Sequence, residues 1–114
     1  MTFNEAQEFC QSKKSKMVEI ESEEENSVII QELSKLSMQN IFYRIGLSDA
    51  AEEGDWEWTS SGKNPVFTNW RLNEPNNYGN GENCAILGIQ GKWNDYECNT
   101  RSFNKDSIYA LCEK

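Results

Sequence analysis

Polar and apolar positions follow two different periods along the chain, and the change comes after its first third. Up to Leu36 the apolar residues recur mainly at helical spacing. Thr2-Phe3-Asn4-Glu5 reads as a Thr-x-x-Glu capping box, and Phe3, Ala6 and Cys10 then mark one face of a first helix. Met17-Val18-Glu19-Ile20 alternates as a strand does. Ser22 with Glu25 forms a second capping box, and Ile29, Leu33 and Leu36 continue that helix along one side. The acidic run Glu23-Glu24-Glu25 suits the positive end of this helix, which accounts for it without a ligand.

Beyond Leu36 the period shortens to two. Ile41 to Leu47 and Asp55-Trp56-Glu57-Trp58-Thr59 read as strands, as do Cys84-Ala85-Ile86-Leu87 and Ser107 to Cys112. Between them, Asn64 to Gly81 holds both prolines, six asparagines and two glycines. Such a stretch cannot build a packed element and predicts a long irregular loop, a feature that in compact domains usually carries function. Two helices followed by short strands predict one α+β domain over residues 1–114, with no internal repeat or boundary.

Composition narrows the function. The 114 residues are 37% hydrophobic and 11% aromatic, enough for a packed core. A net charge of -8 argues against nucleic acid and against an anionic membrane face, and it suits a cation binder. No apolar run reaches the length of a membrane span, so no membrane insertion is expected. No signal peptide precedes the first helix, so the chain reads as a trimmed domain. Cys10, Cys84, Cys98 and Cys112 form no C-x-x-C pair, and the chain has no histidine, which together disfavour structural zinc. Two disulfides in an oxidising, extracellular setting are expected instead. Spacing alone leaves all three pairings open.

Candidate chemistry gathers in two places, Glu74-Pro75-Asn76-Asn77-Tyr78-Gly79-Asn80-Gly81-Glu82-Asn83-Cys84 and Trp93-Asn94-Asp95. They offer three carboxylates and several amide carbonyls, with no imidazole. Calcium is the hard cation that accepts 6–8 such oxygens in a flexible shell, whereas magnesium demands a tighter octahedron. Turn formation alone would also explain the asparagines and glycines.

The ordered set resembles the C-type lectin-like domain family over nearly the whole chain. Glu74-Pro75-Asn76, Glu82 shortly before Cys84, Trp93-Asn94-Asp95, the four cysteines, Ile45-Gly46-Leu47, Trp56-x-Trp58 and Trp70 all occur in the family's order. The resemblance implies a fold of two helices and two small antiparallel sheets with a long calcium-binding loop. It implies disulfides Cys10–Cys112 and Cys84–Cys98, a cis bond before Pro75, and a principal calcium site of Glu74, Asn76, Glu82, Asn94 and Asp95. Two vicinal hydroxyls of a sugar would complete that calcium shell, held by the same five residues, with Tyr78 as a further sugar contact. Glu-Pro-Asn is similar to the binders of mannose, fucose and N-acetylglucosamine, whereas galactose binders usually carry Gln-Pro-Asp. Glycans ending in such sugars are the implied partners of a secreted or ectodomain protein, with several domains together supplying avidity.

The sequence also departs from the family pattern. An auxiliary calcium site would use Asp49, Glu53, Asn77 and Asn83 with Glu82, but asparagine stands twice where aspartate is common, which weakens the site. Arg44 replaces a core aromatic. The family's first strand is not in this numbering, which would leave the terminal strand near Cys112 with an unpaired edge. Two rival functions fit the sequence less well. A Glu74–Glu82 glycosidase pair has no histidine to assist it, and a shared calcium would keep both acids ionised, so no enzyme is expected. A module binding protein or ice would tend to lose calcium ligands, which are intact here.

Overall fold

The computed structural model describes residues 1–35, 42–77, 81–88, 90–103 and 106–114. Helix α1 covers Phe3–Ser12 and helix α2 covers Glu23–Ser34. The Thr2 hydroxyl accepts from the Glu5 N–H, and the Glu5 carboxylate accepts from the Thr2 N–H, so the first capping box is complete. At α2 the Ser22 hydroxyl accepts from the Glu25 N–H at 3.1 Å. The three glutamates fill its first turn, as the helix dipole favours. The expected helix position Leu36 and strand position Ile41 lie outside the described residues.

The strands are β1 (Lys16–Met17), β2 (Phe42–Ser48), β3 (Glu57–Trp58), β4 (Cys84–Gly88), β5 (Trp93–Tyr96), β6 (Ser102–Phe103), β7 (Asp106–Ala110) and β8 (Cys112–Glu113). The larger sheet has the order β5-β4-β2-β7-β6, with β3 against the end of β2, and β1 pairs with β8 in a separate ribbon. Two helices, two sheets and both implied disulfides are therefore present. One pairing differs from the antiparallel expectation: β2 and β7 run parallel, which the long connection between them permits. β5 and β6 were not legible, because Asn94 and Asp95 break the apolar alternation that marks a strand.

The ribbon bears on two expectations, one of which it corrects. Lys16 pairs with Glu113 and Met17 with Cys112 on one side of the terminal strand, and among the described residues no strand covers its other edge, as expected. The expected strand at residues 17–20 ends at Met17. Val18, Glu19 and Ile20 are all buried, with the Glu19 carboxylate taking the Ser60 hydroxyl and lying 3.8 Å from Lys16. The expected strand from Ser107 to Cys112 divides at Leu111, whose carbonyl accepts from the Val18 N–H at 2.9 Å. The Val18 carbonyl accepts in turn from Gly46 at 3.0 Å, joining ribbon to sheet.

Two apolar clusters hold the elements together. The larger contains Ile45, Leu47, Trp56, Trp58 and Trp93 with Ile29, Ile30 and Trp70 packed against it, so the tryptophans are core residues, as expected. The smaller gathers Phe3, Ala6, Cys10, Met17 and Cys84 beside the other half-cystines. Cys10–Cys112 ties α1 to β8, and Cys84–Cys98 ties β4 to the segment after β5. Closing the 102-residue separation restricts the unfolded chain the most, contributing about 4–5 kcal/mol in the chain-entropy picture.

Arg44, in the middle of β2, stands where the family pattern has a core aromatic. Its side chain is fully buried, and instead of an aromatic contact it donates to the carbonyls of Met1 (3.3 Å), Glu97 (2.9 Å) and Thr100 (2.7 Å). Burial lowers its pKa to about 10, which still leaves it charged at neutral pH. It braces the turn that carries Cys98. Arg44→Ala should lower unfolding stability by about 3 kcal/mol or more, since it strands carbonyls bonded to a charged group. Urea unfolding would check this, and a loss below about 1 kcal/mol would remove the bracing role.

Candidate metal centre

The site is assembled around Trp93. Its main-chain N–H donates to the Asn69 carbonyl at 2.9 Å, and its carbonyl accepts from the Arg71 N–H at 2.8 Å. The irregular loop thus runs beside β5 as one parallel bridge, Trp70 with Trp93. The Trp93 indole is wholly buried and packs edge-on against Trp58, Phe67 and Trp70. Its Nε1 donates to Asn26 Oδ1 at 3.1 Å, while the Asn26 amide donates to the Gly91 carbonyl at 3.1 Å. Helix α2 is thereby fixed to the β4–β5 turn, where Gly91 has φ 88° and lies close enough to Asn26 and Ile30 to leave no room for a side chain.

From Arg71 the loop turns into the acidic segment. The Glu74 N–H donates to the Arg71 carbonyl at 2.9 Å, Asn73 takes φ 69°, and the Glu74–Pro75 bond is cis, as the resemblance implies. The N–H groups of Asn76 and Asn77 then donate to the two oxygens of Asp95, at 3.1 and 2.6 Å. Asp95 follows Trp93 on the same face of β5 and is 2% exposed. One buried carboxylate therefore pins the loop on both of its oxygens, each of which keeps a second lone pair.

This arrangement brings Glu74, Glu82 and Asp95 together, with one oxygen of each within 4.8 Å of the others. Glu74 Oε2 is buried and has no hydrogen-bond partner among the described residues. Burial first, then the adjacent Asp95 and Glu82 carboxylates, push the Glu74 pKa up to about 7 against the opposing pull of Arg71. An orphaned buried carboxylate oxygen facing two more acids is the chemistry a hard divalent cation satisfies, so the residues present fit calcium. Of the other expected ligands, Asn94 is buried beside Asp95, and Asn76 is joined to Asp95 through its main chain. Tyr78 lies outside the described residues.

The auxiliary set is placed differently. Asp49 is 1% exposed, and its Oδ2 accepts from the Gly54 N–H at 2.9 Å. Asn77 Oδ1 accepts from the Glu82 N–H at 3.1 Å. The exposed Glu53 carboxyl is held above its ordinary range by loss of solvent and by the neighbouring Asp49. The supporting residues Asn26 and Asn69 escaped the sequence reading. Asn26 had a signal, since it precedes Ile29, Ile30 and Leu33 at helical spacing and so lies on the apolar face.

Comparison with known proteins bears on this geometry. The Lectin C-type domain model matches residues 1–114. A perlucin-like protein of Mytilus galloprovincialis is 32% identical over 100 residues, covering 86% of this chain and 64% of that protein. Hepatic lectin of Gallus gallus is 30% identical over 115 residues, covering the whole chain but only 50% of its own length. The chain thus spans between half and two thirds of these relatives. Among solved structures, the cow C-type carbohydrate-recognition domain of CD23, in the presence of GlcNAc2Man3 oligosaccharide, superposes with a TM-score of 0.75 at 31% identity. That match covers 86% of this chain and 71% of that one. Domains of this kind are generally non-enzymatic, calcium-dependent carbohydrate-binding modules of extracellular proteins, and two disulfides fit such a setting. With its fold, disulfides and acidic loop all in agreement, the chain belongs to the C-type lectin domain family.

Proposed function

We propose that this domain binds calcium through Glu74, Asn76, Glu82, Asn94 and Asp95, and uses that ion to hold a sugar with the hydroxyl arrangement of mannose, fucose or N-acetylglucosamine. The observation that carries the reading is the meeting of Glu74, Glu82 and Asp95, with the buried Glu74 Oε2 lacking a partner among the described residues. Bound calcium would supply open coordination positions for two vicinal sugar hydroxyls.

The protein side of recognition follows from which groups donate and which accept. The amides of Asn76 and Asn94 can donate to a hydroxyl oxygen, whereas the ionised Glu74 and Glu82 can only accept a hydroxyl proton. Two neighbouring hydroxyls each meeting one amide and one carboxylate would therefore have a defined orientation. Asp95 fixes the frame, because the N–H groups of Asn76 and Asn77 are already bound to it. The Glu74-Pro75-Asn76 order favours mannose-type sugars through the family resemblance, and a structural relative was solved in the presence of a mannose-containing oligosaccharide. Single shallow sites of this kind bind weakly, so several domains presented together would provide useful avidity.

Asp95→Asn should weaken calcium binding by about 100-fold or more, because it removes a charged ligand and half of the loop's anchoring at once. Isothermal titration with calcium would measure it, and an unchanged affinity would remove Asp95 from the site. On a glycan array the wild type should favour terminal mannose and lose all binding in chelator. The double change Glu74→Gln with Asn76→Asp should move the preference toward galactose. Strongest binding of the wild type to galactose, or indifference to chelator, would overturn the reading.

The raised Glu74 pKa gives a pH dependence of definite sign. Without metal the folded protein holds this proton up to about pH 7, so that contribution to stability is complete below pH 4.5 and is lost as pH rises through about 7. Calcium must displace the proton, so its affinity should fall as pH drops below about 7, with proton release on binding near pH 6. Calorimetry in two buffers of different ionisation heat reads that release directly. Equal heats at that pH would contradict the assignment.

A further inference from the structure

Arg71 stands at the edge of the acidic cluster with its main chain held on both sides. Its N–H donates to the Trp93 carbonyl at 2.8 Å, and its carbonyl accepts from the Glu74 N–H at 2.9 Å. The second bond closes a four-residue turn in which Asn73 takes φ 69° and Leu72, 91% exposed, forms the outer corner. The parallel bridge between Trp70 and Trp93 sets the next residues of the two segments, Arg71 and Asn94, side by side. Arg71 therefore borders Glu74 through the turn and Asn94 through the bridge. Its side chain is exposed. The ion pairs among the described residues are Lys16–Glu19, Lys35–Glu32 and Arg101–Glu5, and Arg71 takes part in none of them.

A basic side chain in this position works against a cation site. Its charge reaches Glu74, where it is set against burial and the neighbouring acids. Calcium held by Glu74, Glu82 and Asp95 would be repelled by it, so a neutral residue on this turn would serve metal binding better. A residue that breaks a local rule without a compensating contact points to a function. With an ion in place, the acids nearest to Arg71 are engaged by that ion, and the guanidinium keeps its donors for a ligand.

We propose that Arg71 gives the sugar site a preference for acidic glycans: its guanidinium takes a sulfate or phosphate ester on the calcium-bound sugar, at a carbon outside the two coordinating hydroxyls. The exocyclic C6 position is one such carbon. A guanidinium fork meets an oxyanion on two oxygens at once, whereas an ammonium acts as a point charge. The domain carries a net charge of -8, so an anionic sugar without this contact would be disfavoured. The arginine reverses that discrimination at one edge of the site and lowers calcium affinity in doing so.

The preference presupposes the calcium–sugar reading proposed above, so the test must tell the two apart. Free mannose, N-acetylglucosamine, mannose 6-phosphate and N-acetylglucosamine 6-sulfate compete, in saturating calcium, against immobilised mannose. The wild type should bind at least one ester about fivefold more tightly than its parent sugar, the upper end of what one exposed ion pair contributes. The ester preferred identifies sulfate or phosphate. That preference should vanish in Arg71→Gln, survive in part in Arg71→Lys, and shrink as salt is raised. Calorimetry without sugar should show calcium binding to Arg71→Gln about threefold more tightly than to the wild type, which a merely structural arginine would not produce. A wild type that binds the parent sugars but neither ester more tightly overturns the preference and leaves the calcium–sugar reading standing. Failure to bind any of the four sugars in calcium overturns both. A preference that persists in Arg71→Gln, or a fall in that variant's calcium affinity, would reduce Arg71 to a support for the turn.

Discussion

The buried Trp93 segment is what allows an irregular, asparagine-rich loop to stand still. Its main chain is gripped on both sides by Asn69 and Arg71, its indole N–H is bonded to Asn26 on α2, and its ring is enclosed by three other aromatic residues. Loops with few apolar side chains have little burial of their own to offset the entropy of ordering. Here the ordering is borrowed from the core: the residue that anchors the loop is also the residue before Asn94 and Asp95. The same tie that stabilises the fold thus positions the acids, and neither role is separable from the other.

Once the loop is held there, the fold concentrates negative charge in a place that favours none. Glu74, Glu82 and Asp95 meet with little solvent, and the raised Glu74 pKa registers the conflict. Asp95 relieves part of it by accepting two main-chain N–H groups. Glu74 Oε2 has no such relief within the described residues. In the 49–54 loop the buried Asp49 carboxylate is relieved by the Gly54 N–H.

Elsewhere the structure relies on covalent ties and a buried charge. Cys10–Cys112 closes most of the chain into one loop, and the buried Arg44 gathers the carbonyls of Met1, Glu97 and Thr100. A buried guanidinium is costly to desolvate, but it supplies donors to three main-chain carbonyls near the Cys84–Cys98 bridge. The exchange of an aromatic contact for a hydrogen-bonded one keeps β2 in place without lengthening the apolar cluster.

What the sequence determined by itself was everything that depends on neighbours along the chain or on an ordered set of motifs. The capping residues Thr2 and Ser22, the helix faces, the loop from Asn64 and the candidate cluster at 74–76, 82 and 94–95 were all legible. So, through the family resemblance, were the disulfide partners. What only the tertiary structure decided involves residues far apart in sequence, where no local period carries information. It showed that Arg44 replaces an aromatic by collecting distant carbonyls, that β2 and β7 run parallel, and that Asn94 and Asp95 sit within a strand. It also showed that Asn26, an ordinary helix residue by composition, is the partner of Trp93. Hydrogen-bond direction is set by the surroundings in three dimensions, and a one-dimensional pattern does not contain it.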